Sequence, residues 1–224
     1  MGRRKIVQSM PAGAGTSLLP TGRLADSRRV IVRIFHQTKL IVTIKRLAFV
    51  LGMVTAIDVR AEWDLTLFVG QMTDNSWEET INPGKTDFID SYLIGVAAGR
   101  DFASKGPFRF GIEGQIVGHF GTQDLLEFNV PIYARYLTPE DWRIFKSFCF
   151  GIGLSYSTQI PQTEINRDGE SSHILFYWMA EIEFYLPTDE LSLVLRLHHR
   201  SDGYGVFATD SGSNALVLGL RHQF

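Results

Sequence analysis

The chain has 224 residues, 45% of them hydrophobic and 12% aromatic, with a formal net charge of −2. That length suits one domain of ordinary size, and the balanced charge excludes the basic footprint of a nucleic-acid-binding protein. The single cysteine, Cys149, excludes an internal disulfide; set between Phe148 and Phe150, it reads as a packed thiol.

Residues 1–40 are basic, contain Pro, Gly and Ser, and show little patterning. Lys45 and Arg46 then precede an apolar run of about eleven residues, and Val59-x-Ala61 offers small residues for cleavage. The run is too short for a spanning helix, which needs roughly 20 apolar residues. The expectation is an N-terminal extension with an export signal, 1–61, cleaved after Ala61. A buried core helix is the competing reading. The folded domain is then 62–224.

From Trp63 onward the apolar residues recur with period two, the spacing of strands. Trp63, Leu65, Leu67 and Val69 form the first set; Tyr92, Ile94, Val96 and Ala98 the second. Phe108, Phe110, Ile112 and Ile116 follow, then Leu126, Phe128, Val130 and Ile132. Phe148, Phe150, Ile152 and Leu154 make a fifth, and Ile174, Phe176, Trp178, Ile182 and Phe184 a sixth. Leu191, Leu193, Leu195 and Leu197 make a seventh, and Leu216, Leu218 and Leu220 the last. No segment carries a helical period.

Eight antiparallel strands can close into a barrel and so remove the sheet edges. The face between the bulky residues holds Gly, Ser and charges of both signs: Glu113, Glu127, Glu181 and Glu183 against Arg109, Arg135, Arg196 and Arg221. A lipocalin-like carrier would put the bulky face inside. A membrane barrel puts it outside and fills a narrow lumen with small residues and paired charges. The fold expected is therefore all-β, an eight-stranded antiparallel transmembrane barrel. The outer loops fall near 72–88, 120–124, 159–172 and 202–213, and the shorter inner turns near 102–107, 138–145 and 187–190. The final Phe224, after an apolar alternate run, suits a bacterial outer-membrane barrel.

The chemistry-bearing residues lie on the last hairpin. Counting on from Leu197, His199 and Ser201 fall on the apolar face near the outer rim, where a polar group facing lipid needs a partner or the interface. A serine becomes a nucleophile when a base takes its proton; histidine is the usual base, held by a third group. Asn214, on the same face of the neighbouring strand, is the first candidate for that third group, with Asp210 and then Asp202 behind it. Backbone N–H groups around Asp202 and Gly203 could receive an oxyanion. His198, beside Arg196 and Arg200, reads as part of the lumen. His119 and His173 do not make a metal site by spacing, and no phosphate-binding glycine loop is present. Neither a metal nor a cofactor is expected.

In size, export signal, strand number and the motif His199-Arg-Ser201-Asp202, the chain resembles the lipid A 3-O-deacylase (PagL-type) outer-membrane barrels. The short loop ending Gly212-Ser-Asn214 belongs to the same likeness. The resemblance implies that His199 is the base and Ser201 the nucleophile. Asp202 stands where that family has Asn, which helps the oxyanion site. Asn214 stands, allowing one extra loop residue, where the family has the acid of its triad. A looser likeness to uncharacterised barrels covers Gly151–Tyr156, Pro161, Leu186-Pro187 and Arg196–Ser201.

The implied function is an esterase of the Gram-negative outer membrane that removes the 3-O-linked hydroxyacyl chain from lipid A. Its partners are the membrane and lipopolysaccharide. The alternative is a non-catalytic barrel, structural or surface-binding, that uses loop 73–88 and loop 159–172 with Glu164, Arg167, Asp168 and Glu170.

Overall fold

The computed structural model describes residues 63–139, 141–188 and 190–224; the expected export segment lies outside them. The strands are β1 (Trp63–Thr73), β2 (Phe88–Lys105), β3 (Phe108–Gly121), β4 (Leu125–Leu137), β5 (Phe145–Ser157), β6 (Ile174–Tyr185), β7 (Leu191–Ser201) and β8 (Gly212–Gln223). Each pairs antiparallel with the next, and β8 returns to β1, closing an eight-stranded barrel. Closure leaves no row of backbone donors and acceptors unpaired. Two short helices were not expected: α1 (Trp77–Thr80) between β1 and β2, and α2 (Gln162–Asp168) between β5 and β6. Helices of one or two turns leave no periodicity to detect.

The bulky face points outward. Leu67 is 62% exposed, Ile94 56% and Ile132 56%, whereas Phe68, Leu93 and Tyr133 beside them are buried. Trp63, Phe102, Phe108 and Trp142 ring the short-turn end, and Phe88, Phe120 and Tyr156 the long-loop end. A lipocalin-like carrier is thereby excluded, since its apolar residues would fill the bore. Pro131 sits inside β4, where it cannot donate to the β3 ladder; pairing there skips from Ile112–Ile132 to Gln115–Asn129. On its other side Gly153 faces it, and a Cβ on Gly153 would lie 2.0 Å from the Val130 carbonyl. The close approach of β4 and β5 thus requires glycine at this point.

The bore is filled by ionic side chains. Arg196 lies 2.9 Å from Glu113 and 2.5 Å from Glu181. Arg221 reaches Glu181 at 2.9 Å, Glu183 at 3.4 Å and Asp64 at 3.5 Å, and Arg135 pairs with Asp64 at 3.1 Å. Glu127 is held by His119 at 2.8 Å and His198 at 2.9 Å, with Ser155 donating to it at 3.0 Å. Cys149 packs with Tyr133, Tyr177 and Met179. Buried charges persist only when so paired.

Arg109 and Glu164 depart from the sequence reading. Arg109 is not in the network. It stands at the β2–β3 turn and donates to the Gly106 and Phe108 carbonyls, because the second position of a strand lies beside the turn's unpaired carbonyls. Glu164 is not on a free surface. α2 caps the long-loop mouth and turns Glu164 inward, fully buried, where Ser213 donates to it at 2.7 Å and Arg200 lies 3.3 Å away.

Candidate active site

The outward row across the long-loop end is set by strand register. His199 on β7 stands directly opposite Asn214 on β8 and Trp178 on β6, and Asn214 stands opposite Thr73 on β1. The row below is Ala180, Leu197 and Leu216; the row above is Phe176, Ser201 and Gly212. His199 Nδ1 and Asn214 Oδ1 are 2.6 Å apart. Asn214 Nδ2 donates to the Asn75 carbonyl at 2.8 Å. The amide oxygen therefore faces the ring, so Nδ1 carries the hydrogen and Nε2 keeps its lone pair. The Trp178 ring lies 4.5 Å from the imidazole, centroid to centroid.

These residues face outward but are not bare, as alternation alone had implied. His199 is only 9% exposed and Asn214 2%, against 56% for Ile94 on an uncovered stretch of wall. The segment between β1 and β2 folds over the outside of the barrel and covers them. Trp77 of α1 packs edge-on against Trp178 at 5.8 Å, and Thr80 shares a 2.8 Å hydroxyl hydrogen bond with Thr73. Trp77 was missed by sequence reading; an aromatic residue in an acidic loop is its only trace there.

Under α1 runs an apolar groove of about 740 Å³, between Trp77 and Ile81 on one side and Phe150, Trp178 and Ala180 on the other. His199 and Ser201 lie at its rim end. A second hollow of about 650 Å³ adjoins it, sharing Ile81, Ala180 and Leu197 and reaching Phe148, Ile182 and Leu195. From His199 to Leu195 the strand advances about 13 Å.

Ser201 follows His199 by two positions on the same face. Among the described residues no hydrogen bond joins the two; catalytic contacts of this kind commonly tighten only when substrate is bound. Asp202 is committed elsewhere: its N–H donates to the Ser211 carbonyl at 2.9 Å, and its carboxylate accepts from the Gly205 N–H at 2.5 Å. This departs from the expected oxyanion role of the Asp202 N–H, because the β7–β8 turn uses that donor to close. Gly203, at φ +70° and pressed against Phe176, holds a conformation that suits glycine. Gly203 lines the groove, and its N–H makes no hydrogen bond among the described residues. Asp210 is exposed and donates its N–H to Glu170 at 2.7 Å. The partner brought to His199 is Asn214.

No family model matches the chain, and no curated protein matches it. Among solved structures it is similar to the outer membrane enzyme PagL, at 11% identity over 71% of this chain and 98% of that one, with a TM-score of 0.51. It is also similar to Neisserial surface protein A, at 12% identity over 74% and 99% of the two chains, TM-score 0.45. For Ail, the attachment invasion locus protein of Yersinia pestis, the values are 10%, 74%, 99% and 0.43. The fold is that of an eight-stranded outer-membrane barrel. At these identities the likeness extends to the fold and not to the chemistry, so the chemical reading rests on the groove and the residues at its rim.

Proposed function

We propose that this barrel lies in the outer membrane of a Gram-negative bacterium and hydrolyses the 3-O-linked hydroxyacyl ester of lipid A. On this reading residues 1–61 carry export and are cleaved, and residues 62–224 are the working enzyme. The observation that carries the proposal is the 2.6 Å contact of His199 with Asn214, at the rim of an apolar groove that Ser201 also lines. A soluble hydrolase hides such a site in a cleft. Here the groove that leads to it lies on the outer wall, where a membrane-bound glycolipid arrives sideways.

The chemistry follows from the positions. Ser201 Oγ attacks the ester carbonyl as His199 Nε2 takes its proton. The Asn214 oxygen keeps the ring in the Nδ1–H form. The Gly203 N–H, free among the described residues and in a residue that lines the groove, is the backbone donor assigned to the developing oxyanion. His199 returns its proton to the sugar oxygen as the C–O bond breaks, and water then releases the fatty acid from Ser201. Asn214 holds the ring without neutralising the imidazolium, so turnover is slower than a carboxylate would give.

The test is mass spectrometry of lipid A from Gram-negative cells expressing the protein. The wild type should remove one hydroxyacyl mass, and Ser201→Ala should leave lipid A intact. A second reading, a non-catalytic barrel, is favoured by one observation, the missing His199–Ser201 hydrogen bond. An unchanged lipid A profile with the wild-type barrel folded in the membrane would select that reading.

Ala180 lies where the two hollows meet. Ala180→Phe should fill that junction and lower turnover of long-chain esters roughly tenfold relative to short ones, the scale of pocket discrimination between chain lengths. A series of p-nitrophenyl esters of rising chain length would measure it.

A further inference from the structure

We propose that Asn75 is the positioning residue that selects the tautomer of His199, so that closure of the segment between β1 and β2 and competence of the base are one event. The assignment rests on the esterase reading for its meaning, and on hydrogen-bond geometry for its content.

Asn75 is 8% exposed, in the segment that leads from β1 into α1. Its side chain staples that segment shut. Oδ1 accepts from the Asp87 N–H at 2.6 Å, and Nδ2 donates to the Lys85 carbonyl at 3.2 Å. Its backbone carbonyl then points at β8, where it accepts from Asn214 Nδ2 at 2.8 Å and from Arg167 Nη1 at 3.4 Å.

The two ends of the Asn214 amide have nearly the same shape and differ in what they offer, two N–H donors at one end and an acceptor at the other. A carbonyl can only accept, so the Asn75 carbonyl takes the NH2 end and leaves the oxygen for His199. Were the amide turned over, Nδ1 would have to accept and the proton would sit on Nε2. Nε2, the nitrogen not engaged by Asn214, would then be unable to act as a base. A carboxylate at position 214 would need no such control, because both its oxygens accept. An asparagine in this place makes the outside partner necessary, and Asn75 is that partner.

The 15N shifts of the His199 ring, recorded on the protein in detergent micelles at a pH where the ring is neutral, read the tautomer directly. Wild type should carry the proton on Nδ1. Asn75→Ala should give a mixture containing the Nε2–H form, with deacylation lowered about tenfold to a hundredfold, as when a group that orients a histidine is removed. In an Asn214→Asp background the ring should stay Nδ1–H with or without Asn75→Ala, a non-additivity that a merely structural role would not produce. Should Asn75→Ala fail to fold, Asn75→Asp keeps the bond to Asp87 while losing that to Lys85, and should shift the tautomer in the same direction.

An Nε2–H ring in the wild type, or an unchanged tautomer in the folded Asn75 variants, would overturn the assignment. A wild type with the Nδ1 proton in place, lost in the Asn75 variants, but with no deacylation would leave the assignment standing and remove the esterase reading instead.

Discussion

His199→Ala is expected to lower deacylation by about 10²–10⁴-fold, the range for losing a positioned general base. The barrel should still fold, because His199 lies on the outer wall and takes no part in the ion pairs of the bore. Its hydrogen bond goes to Asn214 and its ring rests on Trp178. Losing both loosens the packing under α1 but leaves the strand ladders intact. Ser201→Ala should cost about as much. The double variant should be little worse than either single one, since nucleophile and base act as a unit. Release of fatty acid from lipid A vesicles, beside a gel assay of barrel folding, would measure both. Two additive losses would mean that the residues do not share a step.

The second large effect lies inside the bore and bears on stability. Arg221 is buried and touches Asp64, Glu181 and Glu183. Arg221→Ala leaves buried carboxylates in the lumen with part of their compensation gone. Breaking one partner of a buried ion pair costs about 3–5 kcal/mol, and urea unfolding of the barrel reinserted in vesicles should show a loss of that order. Pairing Arg221→Met with Glu181→Leu removes both charges together and should cost clearly less than Arg221→Ala. An exposed charge at the short-turn end gives the control: Lys105→Ala should change stability by about 0.5 kcal/mol or less.

Much of this architecture was legible from alternation alone. The leucines at 191, 193, 195 and 197 mark one face of β7, and the same count carries His199 and Ser201 onto that face. Counting back from Leu216 puts Asn214 on the matching face of β8. Strand period also assigned Glu113, Glu181, Glu183, Arg196 and Arg221 to the bore. What alternation could not supply was anything set by the loops. Period two gives a residue's side of the wall but not what lies on top of it, so His199 and Asn214 read as bare. The cover from Trp77 and the reach of Asn75 depend on how the segment between β1 and β2 folds back, which a four-residue helix does not announce. Arg109 was misplaced for a related reason: near a strand end, turn carbonyls compete with the bore for a long side chain. Glu164 lay in a stretch with no strand pattern at all, and its burial follows from the Arg200 guanidinium at the mouth.

The ions and hydrogen bonds in the bore also act as cross-braces. Arg196 on β7 ties to Glu113 on β3, Arg135 on β4 to Asp64 on β1, and Gln115 on β3 to Tyr177 on β6. These struts span the diameter in several directions, so the cross-section resists being squeezed into an ellipse by lateral pressure from its surroundings. A hollow tube of the same wall would flex, and flexing would change the curvature of the wall where β6, β7 and β8 meet the rim. A stiff interior thus holds the outward row of Trp178, His199 and Asn214 at one curvature.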